Sequence, residues 1–272
     1  MTHPPVALTI AGSDPSGGAG IQADLKTFSA LGAYGTSVIT ALTAQNTRGV
    51  TGVHLVPPGF VTEQLRTLVD DVRIDAIKIG MLANAEIAEA VGGFLTDFLT
   101  GHRHQVVVLD PVMGATSGDR LLDARAVAAV RRLLPLASVV TPNLPEAADL
   151  LGTAPATDVA GMREQAGALL AAGARRVLLK GGHLVDGPAV DVYAEPGLVE
   201  VLTTARIDTR NTHGTGCTLS SAVAALRPQR PDWLTAVADA KQWLTGALAA
   251  ADALDIGAGH GPVHHFHGIW PA

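Results

Sequence analysis

Cysteine is nearly absent from this chain: Cys217 is the single one among 272 residues. An intrachain disulfide is therefore excluded, and the sequence suits a reducing compartment. Aromatic residues are scarce, at 4%, which argues against a surface that stacks nucleic-acid bases. The formal charge is −6 and no Lys/Arg run occurs. The basic footprint that DNA or an anionic membrane requires is missing, so neither is expected as a partner. No run of about 18 apolar residues occurs, so no membrane span is expected. The opening Met1-Thr2-His3-Pro4-Pro5 lacks the basic region of a signal peptide. The expected location is the cytoplasm. Two nucleotide-binding fingerprints are missing too. There is no G-x-x-x-x-G-K-[ST] and no G-x-G-x-x-G after a strand. Any phosphate chemistry must use another loop.

What is present is apolar residue, 47% of the chain, enough for a full core and too much for disorder. No internal repeat or low-complexity linker divides the sequence, and one α/β domain over 1–272 is expected. Short β-branched runs alternate with helical patterns. Strands are predicted at 6–10, 36–44, 76–79, 106–109, 138–140 and 177–179. Helices are predicted at 21–31, 60–72, 85–99, 124–134, 146–151, 162–172, 217–226 and 234–254. In the first helix Ile21, Leu25, Phe28 and Leu31 recur at helical spacing and are expected to face the core. The alternation argues a mostly parallel sheet covered on both faces. Residues 190–207 read instead as two short strands, a hairpin before the final helices.

Five predicted strands end directly in polar or glycine-rich turns: Gly12-Ser13-Asp14, Gly80-Met81, Asp110-Pro111, Thr141-Pro142-Asn143 and Lys180-Gly181-Gly182. Any one of these is well explained as a surface turn. Together they suggest a ring around one crevice, because open α/β sheets bind ligands beyond the carboxyl ends of their strands. The long turn from Gly12 to Gly20 would form a pocket wall, its glycines letting a ligand approach the backbone.

The segment Thr212-His213-Gly214-Thr215-Gly216-Cys217 precedes a predicted helix. Alternate glycines allow successive amides to turn toward one anion, and a helix start adds its positive end. The bland alternative is a glycine-rich turn. Cys217, on the first turn of that helix, reads three ways: a small buried apolar residue, a general base with a lowered pKa, or a covalent nucleophile assisted by His213. Asn143 and Glu146 have capping-box spacing, and Glu146 alternatively orients water on Mg²⁺. Lys180 ends an apolar strand and suits ATP phosphates. The tail histidines His264, His265 and His267 are discounted as a metal site, because they crowd together without a carboxylate or thiol.

These motifs, taken in order, resemble one known family. Residues 8–24 (LTIAGSDPSGGAGIQAD), 40–47 (TALTAQNT), 78–82 (KIGML), 110–113 (DPVM), 141–147 (TPNLPEA), 180–183 (KGGH), 211–220 (NTHGTGCTLS) and 261–266 (GPVHHF) are similar to the hydroxymethylpyrimidine/phosphomethylpyrimidine kinases of thiamin biosynthesis, within the ribokinase superfamily. The resemblance spans the chain. It implies a ribokinase-like three-layer α/β/α sandwich, a homodimer, and ATP with Mg²⁺ as cofactors. The implied activity converts a hydroxymethyl aminopyrimidine to its monophosphate and then to its diphosphate. At matching positions it implies Cys217 as the base, with Gly214 and Gly216 in the catalytic loop. Gln45 would pair with the aminopyrimidine, Gly12 and Asp24 would contact it, and Met81 and Val108 would pack on its faces. Lys180, Thr212, His213, Gly214, Thr215 and Gly216 would hold ATP phosphates. Asp110 and Glu146 would support Mg²⁺, through water. Sugar kinases of the superfamily carry Asp where this chain has Cys217, which disfavours a sugar. Pyridoxal kinase is the near alternative and a non-catalytic ligand-binding relative the distant one.

Overall fold

The computed structural model describes residues 3–102, 105–114, 124–184 and 187–270. Its centre is an eight-stranded sheet in the order β10-β9-β8-β7-β6-β5-β1-β2. The strands are β1 (Val6–Ala11), β2 (Tyr34–Ile39), β5 (Ala76–Ile79), β6 (Val106–Leu109), β7 (Val139–Val140), β8 (Val177–Lys180), β9 (Ala189–Glu195) and β10 (Leu198–Thr204). Those from β1 to β8 pair in parallel, and β9 and β10 close one edge as an antiparallel hairpin. The hairpin expected over 190–207 is thus present, and it extends the main sheet.

The β1, β5 and β6 strands are buried on both sides, as a sheet covered by helices requires, with Thr9 and Lys78 their polar members. Leu8, Ile10, Ile77 and Ile79 face one cluster, packed under α2 (Pro58–Asp71), α3 (Ala85–Gly101), α4 (Ala124–Arg131), α5 (Leu144–Leu151) and α6 (Val159–Ala171). Ala7, Ala76 and Val108 face the other, under α1 (Gly20–Ala30), α7 (Thr215–Leu226) and α8 (Trp233–Ala249). The three-layer α/β/α expectation holds. In α1, Ile21 and Phe28 are buried and Leu25 and Leu31 pack partly against this second cluster.

Element boundaries depart from the sequence reading most clearly in two places. The single strand expected at 36–44 is broken at Thr40, whose amide donates to the Ala11 carbonyl (3.0 Å) and whose hydroxyl donates to the Met81 carbonyl (2.7 Å). The chain leaves the main sheet there. It continues as β3 (Ala41–Asn46), which pairs with β4 (Gly49–Leu55) in a separate two-stranded sheet. The long helix expected at 234–254 stops at Ala249 and finishes in a 3₁₀ turn, Ala251–Leu254.

Candidate active site

The strand-end turns and the start of α7 do surround one cavity, of about 410 Å³. Gly12, Ser13 and Asp14 follow β1, Met81 follows β5, Asp110 and Val112 follow β6, Asn143 and Glu146 follow β7, and Lys180 and His183 follow β8. Residues 212–217 form the floor, and Thr43, Gln45, Val50 and Val53 lean in from β3 and β4. This is the place the parallel topology reserves for ligands.

Gly214 caps α7 in the left-handed conformation, φ 75°. A side chain there would collide with the Gly18 carbonyl, so glycine alone lets the two glycine-rich loops meet. The helix then begins at Thr215, whose own amide donates to the Thr212 carbonyl (3.2 Å); the Gly216 and Cys217 amides follow in the first turn, where the helix itself offers no carbonyl four residues back. Such a terminus attracts anions. Lys180 stands over it: a Cβ on Gly216 would lie 3.2 Å from Lys180 Nζ. The loop is braced from behind. The His213 amide donates to the Gly261 carbonyl (3.0 Å), and His265 Nε2 meets the Thr218 hydroxyl (3.0 Å). Burial pushes the His265 imidazole down to about 3. His265 thus braces the start of α7 as a neutral ring.

Charges around the floor are coupled. Lys180 Nζ donates to Asp110 Oδ1 at 2.8 Å and lies 3.7 Å from Glu146 Oε2. Burial opposes ionisation of Asp110, but Lys180 and Lys78 outweigh it and hold the carboxyl below its usual range. Burial, with Asp110 adding to it, pushes the Glu146 carboxyl up to about 7 against the pull of Lys180. Two carboxylates thus share one lysine. An oxygen donor set short of positive charge suits a hydrated Mg²⁺, which takes few protein ligands and keeps its waters. The residues fit such an ion. Glu146 also completes the capping box of α5: Asn143 Oδ1 accepts from the Glu146 amide (2.9 Å) and Glu146 Oε2 from the Asn143 amide (2.7 Å). The capping-box reading of this pair is thus present.

The family model for phosphomethylpyrimidine kinase matches residues 14–264. The chain belongs to the phosphomethylpyrimidine kinase family. It is 58% identical to the hydroxymethylpyrimidine/phosphomethylpyrimidine kinase of Escherichia coli, over 97% of this chain and 98% of that one. It is 51% identical to the thiamine biosynthesis bifunctional protein ThiED of Geobacter sulfurreducens, over 95% of this chain and 51% of that longer protein. Among solved structures, a pyridoxal kinase from Staphylococcus aureus in complex with AMP-PCP and pyridoxal superposes with a TM-score of 0.87 at 33% identity, over 98% of this chain and 95% of that one. The protein is therefore a kinase with a ribokinase-like fold.

Most residues expected in the kinase site reach the cavity: Gly12, Gln45, Met81, Asp110, Glu146, Lys180, Thr212, His213, Gly214, Thr215, Gly216 and Cys217. Two do not. Val108 is fully buried within β6, in the cluster packed under α7, and does not line the cavity. Asp24 is fully buried beneath the floor. It pairs with Lys78 Nζ at 2.9 Å and accepts from the Thr9 hydroxyl (2.6 Å) and the Ser221 hydroxyl (2.7 Å). Neither is placed to touch a ligand, and Asp24 is a foundation of the site.

The expected lowering of the Cys217 pKa is also overturned. Burial pushes the thiol up to about 11; Lys78 pulls the other way, while Asp24 and Asp110 add to the rise. The Gly20 amide beside the sulfur pulls the same way as Lys78 and is outweighed with it. The resting residue is a thiol.

Sequence reasoning passed over Thr43, Val50, Val53, His183 and Lys78. The hairpin residues reach the cavity only through the break at Thr40. Lys78 did carry a signal: a lysine inside the apolar run Ala76–Ile79 must find a buried partner.

Proposed function

We propose that this kinase transfers a phosphoryl group from ATP to the hydroxymethyl oxygen of 4-amino-5-hydroxymethyl-2-methylpyrimidine, and then to the resulting monophosphate, in thiamin biosynthesis. The observation that carries this is one shared cavity. In it an amide suited to an aminopyrimidine edge (Gln45), a thiol (Cys217), an anion-binding helix start and a lysine (Lys180) all open on the same space. Relatives bearing that activity in their names support the substrate.

Met81 and Val53 supply apolar contact for a flat ring, and Gln45 supplies the polar edge. The substrate hydroxyl would sit toward Cys217 Sγ. The thiolate form of Cys217 takes the hydroxyl proton as the oxygen attacks phosphorus. Lys180 and the first-turn amides of α7 face the charge that develops, which is the main source of rate in such transfers. Asp110 and Glu146 would hold Mg²⁺ through water, and when bound it neutralises phosphate charge. In the second transfer the nucleophile already carries about −1.5 to −2 charges and needs no base. A homodimer is the proposed assembly, supported by exposed Tyr34, Leu42, Leu55 and Phe60, with the cytoplasm as the proposed location.

The test is a coupled ADP-release assay with ATP and hydroxymethylpyrimidine, its monophosphate, or pyridoxal. Turnover of both pyrimidines ahead of pyridoxal supports the reading. Preference for pyridoxal would replace it with the vitamin B6 activity of the Staphylococcus relative, whose ring also bears a hydroxymethyl. Binding without turnover would point to a sensor.

A further inference from the structure

Lys180 has a carboxylate directly across the sheet ladder and does not use it. Lys180 of β8 and Asp191 of β9 stand opposite each other in the antiparallel pairing. Opposite residues leave the same face of a sheet, with Cβ atoms about 5 Å apart, which an ammonium can easily bridge. Yet Lys180 Nζ turns to Asp110 at 2.8 Å, in the cavity. Asp191 is taken by a second lysine instead: Lys241 Nζ lies 2.7 Å from Asp191 Oδ2. Their side chains are nearly buried, at 7% and 9% exposure, and neither lines the cavity.

Lys241 rises from the buried stripe of α8, beside Val237, Ala240 and Leu244. Replacing a buried ion pair by apolar side chains of similar volume is often neutral for stability, so stability alone does not account for this one. What the pair adds is position. The other oxygen of Asp191, Oδ1, accepts from the Gly181 amide (2.9 Å). On the near side, the amide of Lys180 itself donates to the Pro142 carbonyl (2.8 Å). Both peptide planes that flank the Lys180 Cα are thus held, one by the turn after β7 and one by the carboxylate. Those planes set the two soft backbone torsions of Lys180, and so the direction in which its side chain leaves. A Cβ on Gly181 would collide with the Val190 carbonyl and crowd the Met162 methyl (2.9 Å), so glycine is what lets β9 approach here.

We propose that Asp191 and Lys241 are positioning residues for phosphoryl transfer: Asp191 aims Lys180 by holding the Gly181 peptide, and Lys241 keeps Asp191 from capturing the Lys180 ammonium. This role rests on the ATP-phosphate reading of Lys180 above. Without Lys241, Asp191 is a buried carboxylate with no cation, and Lys180, directly opposite, is placed to satisfy it. The ammonium then leaves Asp110 and the start of α7. In reactions that depend on orientation, a misplacement of about 1 Å costs roughly a hundredfold in rate.

Kinetics of variants of the full chain test this, with ATP and whichever of hydroxymethylpyrimidine, its monophosphate or pyridoxal the wild type turns over; a failed pyrimidine reading therefore leaves the test intact. Lys241→Met should lower kcat/KM for ATP at least about tenfold and move KM for the second substrate less than about twofold. Asp191→Asn with Lys241→Gln should return kcat/KM for ATP to within about threefold of the wild type. There the Asn oxygen still accepts from Gly181, its NH₂ gives to the Gln oxygen, and no charge is left to draw Lys180. On a Lys180→Met background, Lys241→Met should cost no more than about twofold further, because residues acting through one group are not additive. A full additional loss on that background, or wild-type kcat/KM in folded Lys241→Met, overturns the proposal. Wild-type turnover by Lys180→Met would instead defeat the phosphate role of Lys180 itself, and the positioning role with it. Should Lys241→Met not fold, amide hydrogen exchange of the wild type decides. Protection at Gly181 matching that of the β8 amides supports the held peptide, and fast exchange there sinks the idea.

Discussion

Two residues, Cys217 in the cavity floor and Lys78 beneath it, do different work from what their types suggest. Cys217 is a thiol at rest, raised to about 11 by burial and by Asp24 and Asp110, with Lys78 opposing. A base that titrates so high gains thiolate roughly tenfold per pH unit below its pKa. The first phosphorylation should therefore accelerate between pH 7 and 9, while the second stays nearly flat, as initial rates on each substrate would show. Cys217→Ala should abolish that slope and slow the first step at least tenfold more than the second. Equal losses in both steps would reduce the residue to part of the anion loop. Lys78 and Asp24 form an ion pair with no exposed surface. Removing one partner of such a pair strands the other charge, at about 3–5 kcal/mol. Lys78→Met should lower the denaturant midpoint by that amount in stability. A shift under about 1 kcal/mol would show that Asp24 is satisfied by Thr9 and Ser221 alone.

At the scale of elements, the site depends on two loops meeting where only glycine fits. Gly214 has φ 75° and lies against the Gly18 carbonyl. A left-handed conformation costs a non-glycine residue about 1–3 kcal/mol, and the collision adds to it. Gly214→Ala should lower the melting temperature by several degrees and reduce turnover at least tenfold, because the α7 amides would no longer point into the cavity. Unchanged turnover would mean that the amides are not part of the chemistry. The β3–β4 hairpin is the second such element. Gln45 and Thr43 reach the cavity from it, and a bulge between Ala44 and Gln45 sets their facing. Further along, Asp191 of β9 accepts from the Gly181 amide (2.9 Å) and pairs with Lys241 of α8 at 2.7 Å. That buried clasp fixes the turn after Lys180.

For the whole molecule, the cavity is assembled from segments some 200 residues apart, and a ligand spanning them should tie them together. ATP present at a hundred times its Kd should raise stability by about 2.7 kcal/mol, seen as a higher melting temperature. Lys180→Met should remove most of that gain while keeping the response to the pyrimidine. If the variant keeps the full ATP shift, Lys180 does not hold phosphate.

Much of this was legible in the chain itself. The period of apolar residues gives the alternating strands and helices, because each element must bury a face at its own spacing. The glycine and polar turns at the strand ends mark the crevice, because parallel strands present all their carboxyl ends on one side. The order of motifs points to the family. Other features belong to tertiary structure alone. The break at Thr40 arises from bonds to Ala11 and Met81, partners that local pattern cannot name. Asp24 and Val108 face away from the ligand because the side of an element a residue occupies depends on what packs against it. The thiol of Cys217 is raised by burial and by the carboxylates of Asp24 in α1 and Asp110 after β6, against Lys78 of β5, and a helix start read from sequence reports none of these.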